Sequence, residues 1–211
     1  MPPPGRPDKL TYKPMQALRA DTYRLHGRYS RGLLLRSFLF NRPFRVVATL
    51  RLCQAADQAS TLTRKLLLPA ARVLHGIAGQ LAGIEMPWRT AVAPGLALTH
   101  GRGIVVNVHA RIGSNVTMFH GVTLGQRDRI GSNGERETAY PVIEDDVWIG
   151  PYAIIVGGVR VGRGSRIAGG ACVFEDVPAQ SIVVGNPGKV VKEGCSPDVS
   201  HRVTLPATAH R

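Results

Sequence analysis

An aliphatic residue recurs at every sixth position in the second half of the chain, and this period constrains the fold more than any other feature. The six positions in strict register are Ile143, Ile149, Ile155, Val161, Ile167 and Val173. An α-helix repeats near 3.6 residues and a half-buried strand repeats at two, so neither explains this spacing. A period of six fits a chain that turns a corner after each short strand and points its aliphatic side chains into a triangular coil. Such hexads are typical of a parallel β-helix.

The same period is present upstream of a patternless segment. Val106, Ile112, Met118 and Leu124 are six residues apart, and nineteen residues separate Leu124 from Ile143, which is three hexads plus one. Residues 125–141 are rich in Gly and charge, and we interpret them as a loop that leaves one corner of the coil. The alternative is a sandwich of short strands with coincidental spacing, and ten anchors in two phased blocks disfavour it.

The rest of the chain divides by composition. Residues 1–14 are Pro-rich and predicted to be disordered. Residues 15–82 favour helix, in pieces near 30–39, 45–56 and 62–81, with a turn at Asn41 to Pro43 and Pro69 at a helix start or kink. The β-helix is predicted over 83–194, with Gly83 to Gly95 leading into it. Residues 195–211 are predicted to be a tail or arm.

Charge and cysteine content exclude several classes of protein. The net charge is +13, and residues 1–90 carry fifteen Lys/Arg against four Asp/Glu. A solvated basic face explains this, and so does attraction to an anionic membrane or a pyrophosphate-linked substrate. No nucleic-acid-binding motif is present, so we expect no nucleic acid partner. Three scattered cysteines without CxxC spacing, no secretory leader and no membrane-spanning run predict a cytoplasmic location.

Two histidines are spaced for chemistry. His100 and His120 are twenty residues apart, and a coil of about eighteen residues places them on successive turns, where both imidazoles can line one cleft. Histidine takes a proton near neutral pH with little tuning. We interpret His75, His109 and His201 as ordinary surface residues.

Longer motifs carry a resemblance to a known family. Glu85 is followed after fourteen residues by His100 and GRGIVV, then by VTLG at Val122 to Gly125 and by VVGNPGKVV at Val183 to Val191. This half of the chain resembles the catalytic part of the serine acetyltransferases, within the hexapeptide-repeat acyltransferase superfamily.

The resemblance implies a left-handed parallel β-helix, a homotrimer or higher assembly, and acetyl-CoA in the groove between neighbouring subunits. His100 would be the general base, oriented by Glu85, with His120 a further catalytic candidate. No covalent acyl-enzyme and no metal are implied. Backbone N–H groups near Gly101 to Gly103, or on another corner, would hold the oxyanion. The expected acetyl-CoA-binding residues are Gly150, Ala168, Gly185, Asn186, Pro187 and Lys189.

The chain departs from the family where the acceptor binds. Thr99 stands where the family has Asp, Ala139-Tyr140 replaces Arg-His before Pro141, and His120 replaces Gln. A substrate carboxylate without its Arg loses a bidentate, charge-assisted contact. The loop at 125–141 is longer than the family's, and one of its arginines could replace the missing Arg. The expected acceptor-binding residues are therefore Thr99, Arg127, Arg129, Arg136 and Tyr140.

With its short basic helical segment, the chain resembles the exopolysaccharide and colanic-acid-type members of the superfamily. The sequence therefore predicts an acetyl-CoA-dependent O-acetyltransferase with a saccharide acceptor, cytoplasmic and with a potential peripheral contact to anionic membrane. The alternatives are a serine O-acetyltransferase of cysteine synthesis and a non-catalytic trimeric β-helix scaffold. A carbonic anhydrase of the same fold is disfavoured because His100, His109 and His120 lack a suitable spacing for a metal.

Overall fold

A computed structural model describes residues 12–130 and 134–204. The described chain begins with helices α1 (Pro14–His26), α2 (Arg31–Phe40), α3 (Arg42–Asp57) and α4 (Thr61–Ala82). The Ser30 and Asn41 side chains accept hydrogen bonds from Leu33 N and Phe44 N, and thereby cap the starts of α2 and α3. The predicted break near Pro43 falls at Asn41, between α2 and α3, with Pro43 in the first turn of α3, whereas Pro69 lies inside α4 and does not end it.

The strands that follow form three parallel sheets, the three sides of a β-helix. Side 1 contains β1 (Ile84–Glu85), β4 (Ile104–Val106), β7 (Thr123–Gly125), β12 (Ile154–Val156) and β15 (Cys172–Val173). Side 2 contains β2 (Ala91–Val92), β5 (Arg111–Ile112), β10 (Val142–Ile143) and β13 (Arg160–Val161). Side 3 contains β3 (Ala97–Thr99), β6 (Thr117–Phe119), β11 (Trp148–Ile149), β14 (Arg166–Ile167) and β16 (Ile182–Val184), with β17 (Lys189–Lys192) antiparallel to β16.

The predicted β-helix is confirmed, and its hexad residues stack in the core. Ile143 pairs with Ile112 on one neighbouring coil and with Val161 on the other. All ten predicted aliphatic anchors are buried. The first coil begins at Ile84, inside the stretch that was predicted to lead into the β-helix, because Ile84 and Val92 already pair with Ile104 and Ile112.

Two edges of the triangular coil matter for function. The edge 3–1, between side 3 and side 1, consists of the corners at 100–103, 120–122, 150–153, 168–171 and 185–188. The edge 1–2, between side 1 and side 2, consists of the corners at 86–90, 107–110, 126–141, 157–159 and 174–176. The patternless segment leaves edge 1–2, as expected, but its arms pair as a hairpin of β8 (Arg127–Ile130) and β9 (Arg136–Ala139).

The helices dock on the start of the β-helix through buried polar contacts. Asp21 of α1 pairs with Arg51 of α3 at 2.9 Å, and both side chains are fully buried. His75 of α4 contacts Thr49 Oγ1 at 2.9 Å and the Met86 carbonyl oxygen at 2.8 Å, and its burial lowers its pKa from the ordinary value. His75 is therefore a buried interface residue, not the surface residue that the sequence suggested.

Both ends of the described chain are more ordered than expected. Tyr12 donates a hydrogen bond to the Val92 carbonyl, and α1 begins at Pro14, within the segment predicted to be disordered. At the other end, Arg202 pairs with Asp146, and the Val203 backbone bonds to Asn115. Residues 195–204 therefore lie against the β-helix, while the rest of the predicted tails, 1–11 and 205–211, falls outside the described residues.

Candidate active site

His100 and His120 lie on adjacent coils of edge 3–1, as the twenty-residue spacing predicted. Thr99 pairs with Phe119 in register, and each histidine directly follows one of these two residues. Gly121 N donates to the Arg102 carbonyl at 2.8 Å, which joins the two corners. Adjacent parallel strands are about 4.8 Å apart, so two imidazoles reach one substrate here.

His120 has an unsatisfied nitrogen on this edge. Its ring meets the Tyr152 ring edge-on at 5.0 Å between centroids, and Tyr152 N donates to the His120 carbonyl. Among the described residues, Nδ1 of His120 is buried without a hydrogen-bond partner. A buried polar atom costs free energy unless something pairs with it, so a bound substrate is a natural partner.

The residues expected to bind acetyl-CoA continue along the same edge. Gly150, Ala168 and the Gly185 to Pro187 corner lie on the three coils after His120. Four coil spacings separate His100 from Gly185, which is about 19 Å along the edge. Lys189 follows at the start of β17. Small residues therefore follow His120 along edge 3–1, and their role in binding acetyl-CoA stays a prediction.

Glu85 lies beside this edge without contacting His100. It is exposed on β1 and pairs in register with Val105, so it stands on the outer face of side 1. No hydrogen bond joins Glu85 to His100 in the part of the chain that the structure describes. The carboxylate–histidine pair implied by the resemblance therefore stays a prediction.

The structure excludes one of the backbone N–H groups that the sequence analysis proposed for the oxyanion. Gly103 N donates to the Gly83 carbonyl at 2.6 Å, which removes it from the set expected near His100. Gly101 is buried, and a Cβ at that position would lie 3.1 Å from Pro43 of α3. The N–H groups of Gly101 and Arg102 remain candidates on the corner of His100.

Most of the expected acceptor-binding residues lie on a different edge from His100. The Arg127 guanidinium lies 5.7 Å above the Phe174 ring, and Arg136 pairs with Asp128 at 3.2 Å within the hairpin. Tyr140 packs against His109, with ring centroids 4.6 Å apart, on edge 1–2. Arg129 is on the same hairpin. Within a single chain, Thr99 is the one residue of these five that lies next to His100.

A pocket of about 330 Å³ lies between side 3 and the helical segment; His100 is outside its wall, next to Thr99, and the wall includes the charged Asp21, Arg24 and Asp198. Thr99, Phe119 and Trp148 form part of its wall, and Asn41 at the start of α3 contributes from the helical segment. The Phe119 ring lies 4.9 Å from Trp148 and 6.4 Å from His100, measured between centroids. The sequence prediction missed both aromatic residues, although each occupies an outward position beside a buried hexad anchor.

Within residues 12–130 and 134–204, no group of three His, Cys, Asp or Glu side chains is arranged to hold a metal ion.

Comparisons with known proteins agree with the fold. A family model described as bacterial transferase hexapeptide (six repeats) matches residues 140–174. A serine acetyltransferase of Bacillus licheniformis is 41% identical over 121 residues, covering 57% of this chain and 54% of that protein. The serine acetyltransferase structure of Brucella abortus is 30% identical, with a TM-score of 0.66, and covers 86% of this chain and 70% of that one. The same enzyme in complex with coenzyme A is 29% identical, with a TM-score of 0.65, and covers 86% and 69%.

The chain therefore belongs to the hexapeptide-repeat transferases, the family that includes these serine acetyltransferases. It spans about half the length of the curated relatives that it matches. The relatives named above are serine acetyltransferases, so the comparisons favour this subgroup over the exopolysaccharide subgroup that the sequence suggested.

Proposed function

We propose that this protein is an O-acetyltransferase that uses acetyl-CoA and in which His100 acts as the general base. The observation that carries the proposal is edge 3–1, where His100 and His120 begin a track of small residues leading to Gly185. Relatives that are serine acetyltransferases, one of them in complex with coenzyme A, support the same activity. A cytoplasmic location stays a prediction.

The reaction requires no covalent intermediate. With both substrates on the edge, the acceptor hydroxyl gives its proton to His100 as its oxygen attacks the thioester carbonyl carbon. The new C–O bond forms, the C–S bond breaks, and the CoA thiolate leaves and takes up a proton. Holding the two reactants together supplies much of the rate enhancement, because translational freedom is already lost on binding.

L-Serine is the acceptor that the comparisons favour, since the relatives carry the name serine acetyltransferase. In a free amino acid both the ammonium and the carboxylate must be held by opposite charges or strong hydrogen bonds. Arg129 is a candidate for the carboxylate, because it makes no ion pair with any described residue. Asp198, which lines the pocket while paired with Arg166 at 3.1 Å, is a candidate for the ammonium.

A saccharide is the second candidate, and the pocket favours it. Thr99, Phe119 and Trp148 form an uncharged part of the wall, and the Arg166 guanidinium lies 5.0 Å from the centre of the Trp148 ring. Rings of this kind suit the apolar face of a sugar better than a small zwitterion. The absence of the Arg-His pair before Pro141 points in the same direction.

Thiol release from acetyl-CoA distinguishes these acceptors. If L-serine is the acceptor, we expect thiol release that depends on L-serine. If a saccharide is the acceptor, we expect release with a sugar or nucleotide-sugar and none with L-serine. Trp148→Ala then separates the two outcomes, because loss of a stacking surface worth about 1 kcal/mol or more should raise KM roughly fivefold or more for a sugar and change it little for serine. A chain that binds no acetyl-CoA and releases no thiol with any acceptor would support the scaffold alternative.

We further propose a homotrimer whose copies meet through side 1. The outward residues Val105 and Ile154 are apolar and each 40% exposed, and this face lies between edge 3–1 and edge 1–2. Packing of side 1 against another copy would bring the hairpin on one chain's edge 1–2 towards His100 on its neighbour's edge 3–1. This arrangement would reunite the acceptor-binding candidates that a single chain separates.

Ile154→Glu is expected to convert the trimer to monomer, because it places a charge in an apolar interface. Light scattering after size-exclusion chromatography measures the mass. Val190→Glu is the matched control, at a residue 41% exposed on β17, and should leave the trimer intact.

A mixing experiment tests whether the site is shared between copies. His100→Ala and Tyr140→Ala chains, each of low activity alone, should regain activity when unfolded and refolded together. In randomly mixed trimers about a quarter of the shared sites are intact. If mixing restores no activity, the site is contained within one chain.

A further inference from the structure

Helix α4 is held to the rest of the protein along a narrow strip. Its 22 residues span about 33 Å, yet its buried residues are His75, Ala78 and Ala82, all near its C-terminal end. His75 and Ala78 face α3 and the β1 region, where His75 bonds to Thr49 and Met86. Most of the surface of the helix is therefore open in the described chain.

The open surface of α4 carries an apolar stripe. Its members are between 38% and 70% exposed, and at 100° per residue they fall within one sector of about 140°. They are Leu62, Leu66, Leu67, Val73, Leu74, Ile77 and Leu81. A contiguous apolar surface of this length on a water-facing helix is typical of an interaction site.

The charges around the stripe have one sign. Helix α4 contains no Asp or Glu, and the exposed Lys65 and Arg72 lie two turns apart on one side of the helix, about 60° and 80° beyond the edge of the stripe. Arg64 is already paired with Asp57 at 2.9 Å. Residues 1–90 as a whole hold fifteen Lys/Arg against four Asp/Glu, so this half of the chain carries a net positive charge.

We propose that α4 lies on the surface of an anionic membrane, with the apolar stripe at the acyl boundary and Lys65 and Arg72 at the headgroups. An amphipathic helix with Leu residues on one face and cations at its flank has the composition of an interfacial helix. None of the described helices is long and apolar enough to cross a bilayer. The proposal therefore concerns a helix that rests on the membrane.

A second copy of the chain fits this surface less well. Two or three α4 helices packed together would bring several basic helices into one assembly, with no acidic residue of α4 to neutralise their charge. Anionic headgroups neutralise both cations and accept the apolar side chains at once. This inference does not depend on the acceptor or on catalysis, because its measurement is binding.

Flotation of the purified full chain with lipid vesicles tests the proposal. The protein should float with vesicles of equal parts phosphatidylcholine and phosphatidylglycerol, and much less with phosphatidylcholine alone or at high salt. Leu66→Glu should weaken binding roughly 100-fold, since it removes a leucine that the membrane would bury and adds a charge that anionic lipid repels. Lys65→Gln with Arg72→Gln should weaken it about 25-fold, at about fivefold per cation.

Matched controls lie on the far end of the β-helix. Val191→Glu, at a residue 59% exposed, and Lys192→Gln should leave vesicle binding unchanged. Failure of the wild-type chain to float, or equal binding by Leu66→Glu, overturns the proposal. A third result also overturns it: the wild type does not bind vesicles, and Leu66→Glu has a lower mass than the wild type by light scattering. The stripe would then be an interface between copies. Circular dichroism confirms that each variant is folded.

Discussion

His100→Asn is expected to lower kcat by roughly a thousandfold, within the range by which a positioned general base accelerates a reaction. Asparagine keeps a polar side chain on the corner but cannot accept the hydroxyl proton. The KM for acetyl-CoA should change little, because the track from Gly150 to Gly185 is untouched. Steady-state thiol release with the acceptor identified above measures both constants.

The control for this variant is His26→Asn on α1. His26 is partly buried, bonds to Ser37 Oγ at 2.7 Å and takes no part in the proposed site. Its variant should leave kcat close to that of the wild type, because His26 lies outside edge 3–1 and outside the wall of the pocket. Near-normal kcat in His100→Asn would mean that another group removes the proton, and His120, with its unpaired Nδ1, would be the next candidate.

The β-helix could be predicted from the sequence because its signal is periodic. Each side of the coil needs one inward aliphatic residue, so the six-residue spacing from Ile143 to Ile149 specifies one side of the coil. Strand pairing then follows from the length of a full coil. His100 and His120 were placed on one edge by the same arithmetic. The first coil was interpreted only as the lead into the β-helix, because Ile84 and Val92 are eight residues apart and precede the regular spacing.

The pocket and the docking of the helices could not be predicted, since both depend on contacts distant in sequence. Phe119 and Trp148 are twenty-nine residues apart and meet through the pairing of β6 with β11. Asn41 reaches the same pocket from the helical segment, which no repeat positions. Whether the hairpin on edge 1–2 meets His100 depends on a second copy, and a sequence gives that relation through resemblance alone.

Asp21→Ala is expected to lower the free energy of unfolding by about 3–5 kcal/mol, the cost of leaving one member of a buried ion pair uncompensated. Asp21 joins three parts of the chain. Its carboxylate accepts from Arg51 Nε at 2.9 Å and from the backbone N–H groups of Gly95 and Leu96 at 2.8 and 2.9 Å. Without it, the buried guanidinium and two N–H groups lose their acceptor together. Urea denaturation at fixed protein concentration measures the change.

Two further variants test whether the loss of stability comes from leaving a charge buried without a partner rather than from losing any ion pair. Asp198→Ala breaks the ion pair with Arg166, whose side chains are 48% and 38% exposed, and should cost less than about 1 kcal/mol. Asp21→Ala combined with Arg51→Met should be more stable than Asp21→Ala alone, because the unpaired guanidinium is gone. The opposite order would mean that Arg51 is held by its bonds to the Val92 and Ala93 carbonyls and that Asp21 serves mainly the backbone of Gly95 and Leu96. The helical segment would then be attached to the β-helix through Arg51, and an Arg51 variant alone would detach it.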